Sequence, residues 1–345
     1  MAQALVTGGS GFFGGILKRK LLESGVRVLN VDLQTDDQTH PLLTSVQGDI
    51  RDEALMRRIY AENRFETVYH CAAILAHAVK DKGFLWTSNV DGTRIVAEGA
   101  RAAGVRSLVF TSSNCLWGRG FDYPLTESEA PCPIEIYGRS KWEGERVLDG
   151  FRGDLNIVIV RCPTIIDFGR LGLLSILFEF IHEGRRVWTI GAGANRYQFI
   201  YAQDLADACI RAAAHPASDV FHIGSDNVTS LADTYRYVIE RAGTGARLAE
   251  LPKAPAIAAM KAAYYLGLSP LGPYHYKMIA ENFLFDTRKI KCELGWQPTL
   301  SNQDMLWRAY CYYSENRVQI DGRTDVSAHR RAADMGAIRM LKWIS

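Results

Sequence analysis

No stretch of the sequence is long and apolar enough to cross a bilayer. The two most hydrophobic runs, 173–181 and 254–268, are broken by Glu179 and by Lys261, and both fall short of the roughly 18 apolar residues a span requires. Charge of one sign is also lacking. The 40 basic and 38 acidic side chains leave a formal +2 over 345 residues, which provides no field for capturing nucleic acid. The 7 cysteines, at 71, 115, 132, 162, 209, 292 and 311, form no Cys-x-x-Cys pair, so neither a zinc site nor a disulfide framework is indicated. They read as reduced thiols. No repeat of fixed period and no low-complexity tract occurs. Met1 leads directly into strand-like sequence with no basic or apolar leader, so the cytoplasm is the expected location.

What is present is a rhythm. Up to about residue 165, short β-branched runs at 3–7, 27–32, 45–47, 67–71, 107–112 and 155–161 alternate with amphipathic stretches such as 13–24 and 85–103, the pattern of a parallel sheet with helical crossovers. Right-handed crossovers make this an α/β, doubly wound Rossmann sheet. Beyond Pro163 the alternation weakens, and 173–183, 251–273 and 303–315 read as a smaller, discontinuous α/β lobe for substrate. The expected division is a dinucleotide-binding domain over 1–165, to which strands around 188–224 return, a substrate lobe over 166–187 and 225–316, and a basic tail over 317–345. The tail ends in an apolar segment at 338–344. It is expected to pack on its own subunit, with a membrane-surface helix as the alternative.

Directly after the first strand stands Thr7-Gly8-Gly9-Ser10-Gly11-Phe12-Phe13-Gly14. Gly8 and Gly11 permit a tight turn and close backbone approach, Gly14 lets helix and strand pack closely, and the amino end of the following helix can receive a pyrophosphate. Asp32 ends the second strand, where a carboxylate accepts from ribose hydroxyls. From Leu33 to His40 there is no Lys or Arg, and Asp36 and Asp37 add negative charge, so a 2′-phosphate would be repelled. The expected cofactor is NAD. Asp49, with Ile50 behind the third strand, has two readings: a ligand of the adenine amino group, or a turn-forming residue.

Tyr137 and Lys141 stand at i and i+4, so on a helix they share one face. Ser113 lies at the carboxyl end of the fifth strand, the edge at which open α/β sheets hold ligands. Oxidation of an alcohol removes the hydroxyl proton as hydride leaves, which requires a base of suitable pKa. A lysine ammonium a few ångströms from a phenol, at an effective dielectric of about 20, is worth roughly 3 to 4 kcal/mol, or about two to three pKa units. Tyr137 is therefore the expected base, with Ser113 holding the substrate oxygen.

These segments resemble the extended short-chain dehydrogenase/reductase family, which contains nucleotide-sugar epimerases, dehydratases and 3β-hydroxysteroid dehydrogenases. The resemblance covers about residues 3–315 and rests on TGGSGFFG from Thr7, GDIRD from Gly48, HCAA from His70, NVDGT from Asn89, TSS from Thr111, YGRSK from Tyr137, RCP from Arg161, FIYAQDLA from Phe199 and LGWQP from Leu294. It implies a Rossmann cofactor domain, a substrate lobe and a homodimer. It also implies that Ala72, Ala73, Pro163 and Ile165 line the cofactor and that Asn89 braces the active-site helix; Phe12, Phe13, Ile50, Cys71, Asn89, Ser112, Tyr137 and Lys141 are the further candidate cofactor contacts.

Dehydrating members carry Asp and Glu after the active-site hydroxyl residue; here Asn114 and Cys115 follow Ser113. A 4-epimerase using a nucleotide diphosphate sugar is the leading expectation. A dehydrogenase acting on an apolar secondary alcohol is the alternative. Cys115 stands open between a small core residue and the carbon base of a 3,5-type epimerase. Where relatives hold the diphosphate with an arginine, this chain has Tyr197, one place after Arg196. Asn114, Thr164, Arg170, Arg196 and Arg288 are the substrate-binding candidates. His70, His222 and Tyr274-His275-Tyr276 show no metal-ligand spacing, and no metal is expected.

Overall fold

Apolar strands alternating with amphipathic helices build the layers. The computed structural model describes residues 3–76, 79–172, 174–268, 272 and 279–320. Its first half comprises β1 (Gln3–Thr7), α1 (Phe12–Glu23), β2 (Arg27–Asp32), β3 (Leu43–Gln47), α2 (Glu53–Glu62), β4 (Thr67–His70), α3 (Lys82–Asn89), α4 (Asp91–Ala102), β5 (Ser107–Ser113), α5 (Ile136–Asp149) and β6 (Asn156–Cys162). There follow β7 (Thr164–Ile166), α6 (Leu174–His182), β8 (Arg186–Ile190), β9 (Phe199–Tyr201), α7 (Ala202–Ala213), β10 (Asp219–His222), α8 (Leu231–Ala242), β11 (Arg247–Leu251), α9 (Lys253–Tyr265), α10 (Arg288–Leu294) and α11 (Asn302–Ile320).

A seven-stranded parallel sheet runs in the order β10-β6-β5-β4-β1-β2-β3. The order reverses between β1 and β4, and this switch point opens a crevice beyond their carboxyl ends. Register sets Thr7 beside both Val31 and His70, and Ser113 beside Cys162, so the glycine loop, the candidate serine and the RCP segment share one edge. Leu5, Val6, Val68, Leu108, Phe110 and Ile157 are fully buried, as strands covered on both faces require. One face packs on α1 and α7 through Leu17, Leu21, Leu205 and Cys209; the other packs on α2 and α4 through Met56, Val96 and Ala97. A third apolar cluster, with Trp117, Phe178, Phe283, Phe285 and Tyr310, lies apart from the two that pack on the faces of the large sheet.

Two expectations change in detail. The helix expected over 85–103 is α3 and α4, divided at Val90. The carbonyl of Asn89 is bonded by the Thr93 hydroxyl at 2.7 Å, a side chain inserted into the helical ladder at the break. Of the strands near 188–224, Asp219–His222 joins the large sheet as β10, whereas β8 pairs with β11 and β9 with β7 in two small parallel sheets. The basic tail beyond Ile320, and Tyr274-His275-Tyr276, lie outside the described residues.

Buried charge joins β6 to α5 and β10. Arg161 of β6 holds Glu145 of α5 at 2.6 Å, with both side chains almost fully buried. Nη1 of Arg161 lies 3.4 Å from Nε2 of His222, whose Nδ1 lies 3.0 Å from the Leu125 carbonyl. A carbonyl can only accept, so Nδ1 carries the proton and Nε2 accepts from the arginine. The imidazole is neutral: burial lowers its pKa from 6.5 to about 3, as it does for His70.

A group that binds its proton more weakly folded than unfolded stabilises the native state above the unfolded pKa and loses that contribution as pH falls. Unfolding free energy is therefore expected to fall as pH drops from 6.5 toward about 5, above the ordinary carboxylate range, with a slope approaching 1.4 kcal/mol per pH unit for each of the two histidines. Urea unfolding across that window measures it, and His222→Gln should remove about half the slope.

Candidate active site

The glycine loop is shaped by contacts no larger residue could make. Gly8 has φ +76°, and a Cβ on it would lie 2.7 Å from the Ala72 backbone; a Cβ on Gly14 would lie 2.1 Å from the Gly8 carbonyl oxygen. Gly11 is the cap of α1, no side chain bonds the cap position, and the first turn holds no acid. Open amides and the positive end of the helix dipole are thus aimed at the crevice. This cradle fits the diphosphate of a dinucleotide. Phe12 and Phe13, both buried, root the helix in the core.

Asp32 accepts from the amides of Ser10 and Gln34, each at 2.9 Å, which sets its carboxylate at the loop. Asp36 departs from expectation. Its carboxylate takes Lys18 Nζ at 2.5 Å, Asn30 Nδ2 at 2.8 Å and Ser45 Oγ at 2.6 Å, with both ion-pair side chains buried. Its charge is therefore neutralised by a lysine of α1 that a scan of residues 33–40 does not reach. The repulsion expected of a 2′-phosphate falls to Asp32 and the exposed Asp37. Asp49 is fastened to Arg51 at 2.6 Å, and Arg51 bonds Thr87 of α3 at 2.9 Å, which matches the turn-forming reading; Ile50 beside it is buried.

A line of hydrogen bonds joins this loop to α5, the helix that carries Tyr137 and Lys141. The Ala72 amide lies 3.4 Å from Thr7 Oγ1, Thr7 Oγ1 lies 2.6 Å from His70 Nδ1, and His70 Nε2 lies 2.8 Å from Thr93 Oγ1. Thr93 donates to the Asn89 carbonyl. The Asn89 amide group then spans Ile74, through both its amide (2.7 Å) and its carbonyl (3.0 Å), and Ser140 Oγ at 2.9 Å. Ser140 donates to the Tyr137 carbonyl at 2.8 Å. Asn89 thus acts as a brace and spends its side chain on protein.

Tyr137 lies in the first turn of α5, which Glu135 caps through the amides of Tyr137 (2.9 Å) and Gly138 (2.7 Å). Gly138 lies against the turn Asn114–Leu116: a Cβ there would come 2.2 Å from the Cys115 carbonyl oxygen. That approach sets the phenol beside Ser113, whose Oγ accepts from the Cys115 amide at 3.1 Å. Cys115, Cys162 and Arg170 stand near the phenol. Ser112 Oγ is buried and finds no partner among the described residues. Cys71, near Thr111 at 3.7 Å, and the half-buried Ala72 and Ala73 border the crevice at the end of β4. Pro163 and Ile165 follow β6 on the same edge.

The expected electrostatics are reversed. Lys141 Nζ lies 3.8 Å from the centre of the Phe110 ring, and burial lowers its pKa to about 8. Burial and the neighbouring thiols push the Tyr137 phenol well above its ordinary value, and the Ser113 hydroxyl opposes this. In the protein alone the lysine therefore rests on an aromatic face and does not lower the tyrosine; desolvation exceeds the Coulomb gain calculated from their spacing.

Asn114 and Thr164 are brought together by Tyr197, whose hydroxyl lies 2.5 Å from Asn114 Nδ2 and 3.1 Å from Thr164 Oγ1. Spacing marks Tyr197 only as the residue standing in place of an arginine; its buried hydroxyl gives it a role no spacing rule supplies. The arginines separate. Arg170, bonded to the Ile165 carbonyl at 3.0 Å, is the one beside Tyr137. Arg196 borders a different cavity of about 270 Å³ with Gln198, Ser225 and Asn227. Arg288 is exposed and paired with Asp286 at 2.5 Å.

Comparisons with known proteins agree with this geometry. The model of the NAD dependent epimerase/dehydratase family matches residues 4–224. An uncharacterized protein of Sinorhizobium fredii is 36% identical over 99% of this chain and 85% of its own length. The UDP-glucose 4-epimerase of Mycolicibacterium smegmatis is 30% identical over 70% of this chain and 83% of its own. The crystal structure of UDP-glucose 4-epimerase from Thermotoga maritima with UDP-glucose superposes with a TM-score of 0.75 at 25% identity, covering 91% of this chain and 99% of that one. The Bordetella bronchiseptica enzyme WbmG, solved with NAD, shares the fold at a TM-score of 0.74 and 19% identity, over 97% of each chain. The crevice at the switch point is thus that of an NAD-dependent enzyme, and the chain belongs to the NAD dependent epimerase/dehydratase family, within the extended short-chain dehydrogenases/reductases.

Proposed function

We propose that the protein is a nucleotide-sugar 4-epimerase, which oxidises a ring hydroxyl carbon transiently and restores it with inverted configuration. The observation that carries this reading is the placement of Tyr137 beside Ser113 at the sheet edge, next to a turn, Asn114–Leu116, that holds no carboxylate. Elimination of water requires a further acid and base there; hydride transfer and return do not. The reading is supported by the UDP-glucose 4-epimerases among the relatives.

Gly8, Gly11, Phe12, Phe13 and Gly14 hold the cofactor diphosphate through backbone amides, and Asp32 holds the adenosine ribose. Bound NAD supplies the hydride acceptor and, in its oxidised form, a positive charge in the crevice. Ser113 orients the substrate oxygen and Tyr137 takes its proton. That proton returns to the same oxygen after the ketone is reduced, so the cycle is balanced at the phenol. A cation nearby favours the phenolate that burial disfavours; Lys141, charged below about pH 8, supplies one from the protein. Asn89 and Ser140 fix the helix turn that carries the tyrosine.

Cys115 supports a second reading. Its place beside Tyr137 and Lys141 allows a thiol to move a proton at carbon next to the transient ketone, as in a 3,5-type epimerase. Incubation with UDP-sugars in deuterated water separates the two readings. Epimer free of solvent deuterium at carbon is expected; deuterium incorporation would transfer the chemistry to Cys115, and accumulating NADH would make the protein a dehydrogenase.

Tyr137→Phe is expected to lower kcat about a thousand-fold, the scale of a lost general acid–base, with NAD binding and the unfolding midpoint retained. Cys115→Ala should keep turnover within about three-fold, since it removes a small buried side chain outside hydride return. Steady-state kinetics on both variants measures this, and the opposite ranking would favour the carbon-acid mechanism.

A further inference from the structure

The segment between β2 and β3, residues 33–42, runs over the surface, with Leu33, Gln34, Thr35 and Asp37 exposed. Asp36 turns the other way. Its side chain keeps 5% of its surface in solvent and that of its partner, Lys18 of α1, 2%. Taking two charges out of water is costly, and a surface loop has water at hand for both. What the burial achieves is visible in the contacts. Oδ2 of Asp36 accepts from Lys18 Nζ, from Asn30 Nδ2 of β2 at 2.8 Å and from Ser45 Oγ of β3 at 2.6 Å, while Oδ1 accepts from the Gln38 amide at 3.1 Å. An ionised carboxylate only accepts, and it has about four sites for doing so. Asp36 therefore ties the loop to α1, β2 and β3 at one point, with a direction that an apolar side chain could not impose.

The contacts continue to the glycine loop. Asn30 Nδ2 also donates to Ser10 Oγ at 3.1 Å, and Asn30 Oδ1 accepts from the Gly9 amide at 2.9 Å. Ser10 then reaches Asp32: its amide donates to Oδ2 at 2.9 Å, and the Gln34 amide donates to Oδ1 at 2.9 Å. Both oxygens of Asp32 are thus oriented by backbone amides, one from the glycine loop and one lying two residues before Asp36. The circuit closes through Asp36, Asn30, Ser10, Asp32 and Gln34. A shift of the loop would carry the Gln34 amide with it and turn the Asp32 carboxylate.

We propose that Asp36, neutralised by Lys18, is a positioning residue for the cofactor: it pins the loop after β2 and thereby aims the Asp32 carboxylate at the adenosine ribose. The inference rests on the reading that Asp32 holds that ribose. Asp36 acts through Asp32. Lys18 supplies the cation that permits an acid at this depth, and it stands on α1, the helix that opens at Gly11. The ribose carboxylate and the diphosphate cradle are in this way referred to one rigid element, as preorganised binding requires.

Dissociation constants for NAD, measured by calorimetry on the full chain, test this in a cycle with Asp32. Asp32→Ala is expected to weaken NAD about thirty-fold, the scale of hydrogen bonds to a charged group. Asp36→Ala should weaken it about ten-fold with Asp32 present and less than about two-fold in the Asp32→Ala background, because the two residues act in series. Asp36→Ala leaves the Lys18 ammonium buried without its partner, so Lys18→Met combined with Asp36→Leu is measured beside it. That pair removes both charges at similar volume, should retain the unfolding midpoint, and should show the same dependence on Asp32. Equal losses in the two backgrounds would mark a general effect on the fold and overturn the proposal, as would undiminished NAD binding by the charge-free pair. Should Asp32→Ala bind NAD as the unaltered chain does, the ribose reading itself fails and this inference with it; a weakened Asp32→Ala with additive losses refutes the role of Asp36 alone.

Discussion

The site depends on one neutral imidazole. Thr93 donates its hydroxyl proton to the Asn89 carbonyl, so its oxygen must accept from His70 and the proton of the ring resides on Nε2. Nδ1 then accepts from Thr7, which leaves the Thr7 oxygen free to accept from the Ala72 amide. Every donor in the line has one direction. A second proton on the ring would turn Nδ1 into a donor facing a hydroxyl already committed to donating toward it, and burial lowers the ring's pKa to about 3 against that outcome. The line continues through Asn89 and Ser140 to the carbonyl of Tyr137. Apolar packing alone tolerates small slips between layers; directed hydrogen bonds through a buried ring do not. The glycine loop and α5 are therefore held in one register.

The same helix carries two deeply buried charged side chains, Lys141 and Glu145. Glu145, one turn beyond Lys141, is engaged by Arg161, and Arg161 in turn by His222. This places the positive charge of Arg161 on a carboxylate and leaves Lys141 with an aromatic face and thiols. Burial then draws the lysine down to about 8 and the phenol up. Both shifts arise from the same desolvation, and both favour uncharged forms. In such a low-dielectric pocket a charge brought by a ligand acts more strongly than it would in water, so ionisation of the phenol is coupled to occupancy of the crevice.

Much of the architecture can be read from local pattern, because each central strand is a short apolar run whose neighbours are set by crossovers. Strand limits at Gln3–Thr7 and Arg27–Asp32 coincide with those expected. The glycine loop is legible for a related reason: a positive φ at Gly8 and a forbidden Cβ at Gly14 leave no other residue type. What escapes is contact between distant segments. Asp36 counts as a free negative charge until Lys18, on the preceding helix, is seen against it. The spacing of Tyr137 and Lys141 identifies a shared face but not Phe110, which takes the ammonium. Gly138 resembles any helical glycine until the Cys115 carbonyl is found against it. The break at Val90 comes from a side chain, Thr93, bonding a backbone carbonyl that a periodicity argument assigns to the helix.

Tyr197 has a consequence for recognition. A guanidinium attracts an anion at long range, whereas a phenol offers one donor and one acceptor of fixed direction. Here the Asn114 amide donates to the phenolic oxygen, which constrains its remaining hydrogen toward Thr164 or into the pocket. Three neutral groups from β7, from the turn after β5 and from the segment before β9 thus form a wall that must be satisfied as a set. A ligand that displaces one of these bonds must replace it or leave a buried polar atom unpaired. That asymmetry discriminates between substrates more sharply than adding or removing an apolar group does. Arg170, by contrast, stands beside Tyr137, so on the proposed function charge and hydrogen-bond direction belong to different residues of the site.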